Sequence, residues 1–387
     1  MRDHVTTATK APIGYFVHHQ GRGHAERFVS IAKALPEDRP LAVFCARPEI
    51  LTGLPKRVEV IEIPSLFEPS GNEPRGMGTI ATPDTLHCAP VGWPGIRAAM
   101  AQMAAWFESA APALMISDVS GEVAQLARIC SVPHVKVLQH GTRSDPGHMA
   151  AYDGAAGLLA PFDEALAQED WTPAMRAKTF FAGGLGLATR KAQRAAARRK
   201  LGLDPDRHVV LVLSGGGGRG TPDAPLTLGA RALPDSQWIT VGRIATDWHA
   251  TPCINLRHAG WVDGVEDHIA AADLVVSSAG NTTCTQVLRA GKPWIVVPEW
   301  RYFDEQLRKA QALAKAGVAL HLQDFPASVQ AWRAAAAEAE ARHDPALQGS
   351  LVRADAALAT ADWLEALIAR LWSFEPTNQM KKEVNHV

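Results

Sequence analysis

Two stretches of the 387-residue sequence combine glycines with side chains able to do chemistry. The first is Gly21-Arg22-Gly23-His24-Ala25-Glu26-Arg27. It lies between the apolar run Ile13–Val17 and a helical pattern over Ala25–Leu35 that sets Phe28, Ile31 and Leu35 on one face. His24 thus stands at the mouth of a helix. The positive dipole end there disfavours imidazolium and keeps the ring usable as a general base. Asp118 follows the strand-like run Leu114–Ser117, where it can orient His24, bind a substrate or cap a helix.

The second stretch runs from Gly260 to Gln306. A strand ends at Ser277-Ser278, a turn passes through Ala279-Gly280-Asn281, and a helix opens on Thr282 and Thr283. Free N–H groups and the dipole at such a start suit a diphosphate. Gly280 permits close backbone approach, and the threonine hydroxyls can donate to phosphate or simply cap the helix. Gln286 lies one turn further on the same face. The next strand leads to Asp304-Glu305-Gln306, polar groups able to bind sugar hydroxyls or to cap the following helix. Upstream, Ser214-Gly-Gly-Gly-Gly-Arg219 directly follows the buried run Val209–Leu213. The backbone of Gly215, Gly216 and Gly217 can contact phosphate, with Arg219 as a charge partner.

These groups must be carried by alternating strands and helices. Strands are expected at Leu41–Cys45, Val58–Ile63, His134–Leu138, Gly157–Ala160, Trp238–Val241, Leu274–Ser277, Trp294–Val297 and Val318–Leu322. Helices are expected at Gly95–Ala110, Gly121–Ile129, Val265–Ala272, Thr282–Ala290 and Glu305–Ala316. The alternation predicts an α/β protein of two tandem Rossmann-like βαβ domains facing a central cleft. Residues 1–185 form the first, 186–372 the second and 373–387 a flexible tail. Loops after strand C-termini line the crevice of such sheets. His140 and Arg143, in the Gln139–Arg143 loop, then fall on the same rim as His24.

Composition narrows the partners. The formal charge is −1, which argues against nucleic-acid binding. It divides as −3 before residue 186 and +2 after it. The five cysteines are scattered, so neither a disulfide framework nor a structural metal is expected. The absence of a signal-like or membrane-spanning apolar run predicts a cytoplasmic protein without a transmembrane segment.

The Gly260–Gln306 segment resembles the donor half of GT-B nucleotide-sugar glycosyltransferases of the family-28 type. That type includes the N-acetylglucosaminyltransferase acting on the peptidoglycan lipid intermediate. The segment is also similar to the signature box of plant UDP-glycosyltransferases. Matching positions are Gly280, Thr283, Gln286, Gly291, Pro293 and Glu305-Gln306, with Val262 and Asp263 where the family's uracil meets a backbone group. Asn281, Thr282 and Asp304 join the implied donor set. The family has Glu where this chain has Gln286, and a neutral amide holds ribose hydroxyls less strongly than a carboxylate. Gly21, Gly23 and His24 are similar to the family's Gly-x-Gly-His loop, which faces the donor across the cleft. The resemblance implies transfer from a nucleotide-diphospho-sugar, UDP-linked, with inversion and with His24 as base. His140 and Arg143, with Gly21 and Gly23, would lie on the acceptor side. The nucleotide-sugar is a substrate, so no cofactor is expected, and a metal clamp of the Asp-x-Asp type on the diphosphate is not indicated. The acceptor would be lipid-linked or a small molecule, and the protein could sit peripherally at the inner face of the membrane. The long Ser65–Pro94 loop would serve as an acceptor lid or stay disordered. Two other readings share the fold: a nucleotide-sugar 2-epimerase, and a nucleotide-sugar-binding subunit without turnover, which Gln286 motivates.

Overall fold

The computed structural model describes residues 11–186, 192–215, 218, 220–246 and 252–373. In the first domain the strands are β1 (Ile13–Val17), β2 (Leu41–Cys45), β3 (Val58–Glu62), β4 (Leu114–Asp118), β5 (His134–Val137), β6 (Gly157–Ala160) and β7 (Thr179–Phe181). They form one sheet in the order β3-β2-β1-β4-β5-β6-β7, every pair parallel. The helices are α1 (Arg22–Ala34), α2 (Pro94–Ala110), α3 (Gly121–Ile129), α4 (Pro146–Asp153) and α5 (Pro173–Ala177). Strands β1, β2 and β4 are buried at every residue, as expected when helices cover both faces of a parallel sheet.

The second domain repeats the plan with β8 (Val209–Leu213), β9 (Thr221–Pro222), β10 (Gln237–Val241), β11 (Ile244–Ala245), β12 (Leu256–His258), β13 (Leu274–Ser277), β14 (Trp294–Val296) and β15 (Leu320–His321). Its main sheet runs β12-β10-β8-β13-β14-β15, while β9 and β11 pair separately. The helices are α6 (Arg194–Leu201), α7 (Asp223–Ala232), α8 (Val265–Ala271), α9 (Asn281–Ala290), α10 (Glu305–Lys315), α11 (Val329–Ala341), α12 (Pro345–Ser350) and α13 (Ala356–Leu371). Strand order reverses between β1 and β4 and again between β8 and β13. Such switch points open a crevice at the strand C-termini. His24 follows β1 and Gly215 follows β8, so both glycine loops sit at a switch point.

One boundary differs from the sequence expectation. Helix α13, assigned to the second half, returns to the first domain. Ala356, Ala361, Leu364, Leu367 and Ile368 pack with β1, β2 and α1. Arg39 grips Glu365 through two hydrogen bonds of 2.8 and 2.6 Å, and the Trp372 ring N–H donates to the Ala113 carbonyl at 3.0 Å. The amphipathic pattern identifies a helix but not which of two apolar sheets it covers. Leu364 is fully buried, so Leu364→Ala should cost about 2–5 kcal/mol, read as a lower urea midpoint of first-domain unfolding. An unchanged midpoint would show that α13 contributes nothing to that core.

Candidate active site

At the centre of the first switch point is a buried carboxylate with three partners. Asp118 ends β4 and is completely buried. Its oxygens accept from Arg27 at 2.8 and 2.6 Å and from the Tyr15 hydroxyl at 3.2 Å, and Oδ1 lies 3.0 Å from His24 Nδ1. His24 and Arg27 are three residues apart on α1, which brings both over the end of β4. Burial pushes the Asp118 carboxyl upward, but the Arg27 guanidinium and then His24 outweigh it and hold the group well below the usual carboxylate range. A charged carboxylate facing Nδ1 fixes the proton there and leaves Nε2 as the basic nitrogen. Asp118 therefore orients His24. Helix α3 is capped instead by Ser120, whose Oγ accepts from the Val123 N–H at 3.2 Å.

Further groups support this arrangement, of which Val119 and Lys136 carry no signal in the sequence. Val119 follows Asp118 in the left-handed region at φ 86°, and its carbonyl accepts from the buried Lys136 ammonium at 2.8 Å. Burial pushes Lys136 down to about 7. The His18 ring lies 5.6 Å from that of His24 and stacks on Phe67 at 4.4 Å. The Gln20 N–H donates to His18 Nδ1 at 3.0 Å, while burial and then His24 push His18 down to about 3. Phe67 brings the 65–94 loop to the site. That loop is held onto α3 by Glu122, whose Oε1 accepts the His87 and Cys88 N–H groups at 2.8 and 2.5 Å.

Across the cleft, α9 begins at Gly280 with no side-chain cap. Thr282 instead donates to Glu26 Oε2 on α1 at 3.3 Å. A Cβ on Gly23 would stand 2.9 Å from Thr282 Oγ1, so glycine is what lets the two helix starts meet. Thr283 is half-buried in the same first turn, and the Asn281 side chain is bonded to Lys309. Gln286 and Glu266 look into a cleft of about 830 Å³ whose opposite wall includes Arg22 and Glu26. Val262 packs partly buried on the core behind it. Gly215 faces Ser278, and Gly218 lies against Glu299 and Arg301, which the sequence reading also missed. Gly216, Gly217 and Arg219 lie outside the described residues.

Three expectations change, and for Asp304 the capping alternative falls away. Gln306 is buried, and its Oε1 accepts the N–H groups of Ala279 at 3.1 Å and Glu299 at 2.9 Å. It ties together the loops after β13 and β14 and does not offer that oxygen to a ligand. His140 is fully buried, with Nε2 2.7 Å from the Leu166 carbonyl, and burial followed by Lys309 pushes it down to about 3. It is a core residue. Glu305 accepts from Arg143 at 3.3 Å, so this pair closes one domain on the other. Asp304 is exposed, makes no cap hydrogen bond, and shares the left-handed region with Phe303, at φ 54° and 61°. That strained pair is held because the Phe303 carbonyl accepts from the Thr142 N–H at 2.6 Å. Gly141, at φ 130°, provides the room, since a Cβ there would stand 2.6 Å from the same oxygen. Gly21, at φ 87°, turns the chain into α1.

Two groupings of metal-binding residue types are otherwise engaged. The one Asp-x-Asp triplet, Asp204-Pro205-Asp206, forms an exposed turn in which Asp204 Oδ1 accepts from the Asp206 and Arg207 N–H groups at 2.9 and 3.3 Å. His87, Asp145 and His148 bring ligand atoms within 4.8 Å of one another. However, Asp145 Oδ2 is 2.5 Å from His148 Nδ1, and Arg143 Nη1 stands 3.2 Å from Nε2. A guanidinium against the ring opposes a second cation.

The architecture is that of the GT-B glycosyltransferases. The solved glycosyltransferase of kitacinnamycin matches 92% of this chain and 99% of its own at a TM-score of 0.66 and 17% identity. The calicheamicin glycosyltransferase CalG4 matches 94% and 99% at 0.63 and 15%. Residues 245–331, within the second domain, match the Glycosyltransferase family 28 C-terminal domain. Two curated relatives are named UDP-N-acetylglucosamine--N-acetylmuramyl-(pentapeptide) pyrophosphoryl-undecaprenol N-acetylglucosamine transferase. That from Nocardioides sp. is 30% identical over 142 residues, 35% of this chain and 39% of the relative. That from Bacteroides fragilis is 32% identical over 155 residues, 36% and 40%. The chain thus spans about two fifths of the length of these relatives.

Proposed function

We propose that this protein is a glycosyltransferase that moves a sugar from a UDP-linked donor to an acceptor hydroxyl, with inversion and without a metal ion. The observation carrying this reading is the apposition of two helix starts at Gly23 and Thr282, with His24 held by Asp118 beside them. His24 Nε2 takes the acceptor proton as the hydroxyl oxygen attacks the anomeric carbon. The bond to the departing diphosphate breaks on the opposite face, which inverts the centre. The uncapped N–H groups of Gly280–Thr283 receive the charge developing on the diphosphate, a role backbone dipoles can fill without a cation. The cleft beside Gln286 is large enough for the nucleotide.

Support for the donor is stronger than support for the acceptor. The family match lies wholly in the second domain, and the relatives' names carry UDP-N-acetylglucosamine. A lipid-linked acceptor is suggested by the same names. It would place the protein peripherally at the inner face of the membrane, and no described helix is long and apolar enough to cross one. A small-molecule acceptor is the alternative to be screened beside it. The test is calorimetry with UDP followed by mass spectrometry of transfer from UDP-sugars to both acceptor classes. Saturable UDP binding and a glycosylated product are expected. Binding without transfer would favour a non-catalytic subunit, sugar conversion without acceptor would favour an epimerase, and no binding would reject all three.

A further inference from the structure

The 830 Å³ cleft has one wall from each domain, and the second-domain wall carries Gln286 and Glu266 side by side, with Asp355 at its edge. Neither Gln286 nor Glu266 makes a side-chain hydrogen bond or ion pair with any described residue. Both are half-buried on the cleft wall, which leaves their polar ends to a ligand in the cleft and not to the protein. The loop before α8 aims Glu266. Gly264, at φ 83°, turns the chain back, and a Cβ on it would stand 3.9 Å from Glu266 Oε2. The carboxylate therefore folds over the 262–264 loop. On the other wall, Glu26 is raised above the ordinary carboxylate value, first by burial and partly by the charge of Glu266, which puts the two carboxylates within electrostatic reach across the cleft. Glu26 is engaged by Thr282 and Asp355, also on the cleft, by Arg353, which leaves Glu266 as the unpaired carboxylate among the described lining residues.

A carboxylate has two oxygens and accepts only, so its best neutral partner is a pair of adjacent hydroxyls. A ligand whose diphosphate lies at the start of α9 and which extends past Gln286 presents such a pair on its ribose. We propose that Glu266 is the residue that holds the donor's vicinal ribose hydroxyls. It supplies from α8 the negative charge that the neutral Gln286 of α9 does not, while Gln286 binds the same sugar as a weaker partner. This rests on the nucleotide-sugar reading of the cleft and deepens it.

The experiment compares UDP with 2′,3′-dideoxy-UDP by calorimetry on the full chain, for wild type, Glu266→Ala and Glu266→Ala/Gln286→Glu. Hydrogen bonds to a charged group are strong enough that wild type should prefer UDP by about 10- to 100-fold. Glu266→Ala should bind both nucleotides about equally, and the double variant should regain the preference for UDP. Unchanged discrimination in Glu266→Ala would overturn the proposal, as would a weakening that is equal for both nucleotides. Loss of helix stability alone would lower the melting temperature without changing the ratio, and that outcome also rejects a ribose role. A wild-type chain that binds neither nucleotide would instead reject the nucleotide-sugar reading itself.

Discussion

Replacing His24 with alanine should lower the transfer rate by about 10²- to 10⁴-fold, the usual contribution of a positioned base, with UDP affinity unchanged. The two effects separate because His24 and the nucleotide wall occupy different faces of α1. Positions 22, 26 and 29 look into the large cleft, while His24 turns to Asp118 and His18. Little stability should be lost. The His24 side chain is 16% exposed, and Asp118 retains Arg27 and Tyr15. Single-turnover transfer and UDP calorimetry on the same sample provide the check. Transfer at the wild-type rate would remove His24 from the mechanism, and a parallel loss of UDP binding would make it a structural residue.

Asp118→Asn should be worse, because it damages both folding and chemistry. The variant leaves the Arg27 guanidinium, 2% exposed, without its counter-charge, and breaking a buried pair costs about 3–5 kcal/mol. The amide can also donate to His24 Nδ1, stabilising the tautomer with its proton on Nε2 and removing the base. In a Ser-His-Asp triad the corresponding change costs about 10⁴ in rate. The pH dependence has a definite sign. A carboxyl whose folded pKa is depressed contributes stability that is complete above its unfolded value of about 3.9 and is lost as pH falls toward the folded value. Wild type should therefore lose stability as pH drops below that unfolded value. Asp118→Asn should start lower and lack this part of the acid limb. Guanidinium titrations from neutral to acid pH read both effects. Parallel curves would show that Asp118 is not ionised in the folded protein.

Much of this arrangement was legible in the sequence because local signals were strong. The apolar runs Val209–Leu213 and Leu274–Ser277 match β8 and β13 residue for residue, since strands buried on both faces need no alternation to be recognised. Strand, glycine loop and helix in succession placed His24 and Gly280 correctly at two helix mouths. What escaped depends on partners far away in sequence. Arg27 reads as one more charge on a polar helix, and only the end of β4, 91 residues later, shows that it is a buried counter-ion. Gln306 reads as a ligand-binding amide, yet it satisfies two backbone N–H groups in separate loops. His140 sits in a polar loop but is pinned to the Leu166 carbonyl. Glu266 looks like an ordinary first-turn acid until its wall of the cleft is seen. Helix periodicity tells which side is buried, and not by what.

The central claim is that the cleft between the domains is a nucleotide-sugar site whose diphosphate meets the two apposed helix starts. It is tested most directly by a crystal structure of the protein with UDP. Diphosphate oxygens are expected within hydrogen-bond distance of the Gly280–Thr283 N–H groups, with the ribose beside Glu266 and Gln286. UDP bound elsewhere, with the α9 N-terminus left to water, would contradict it.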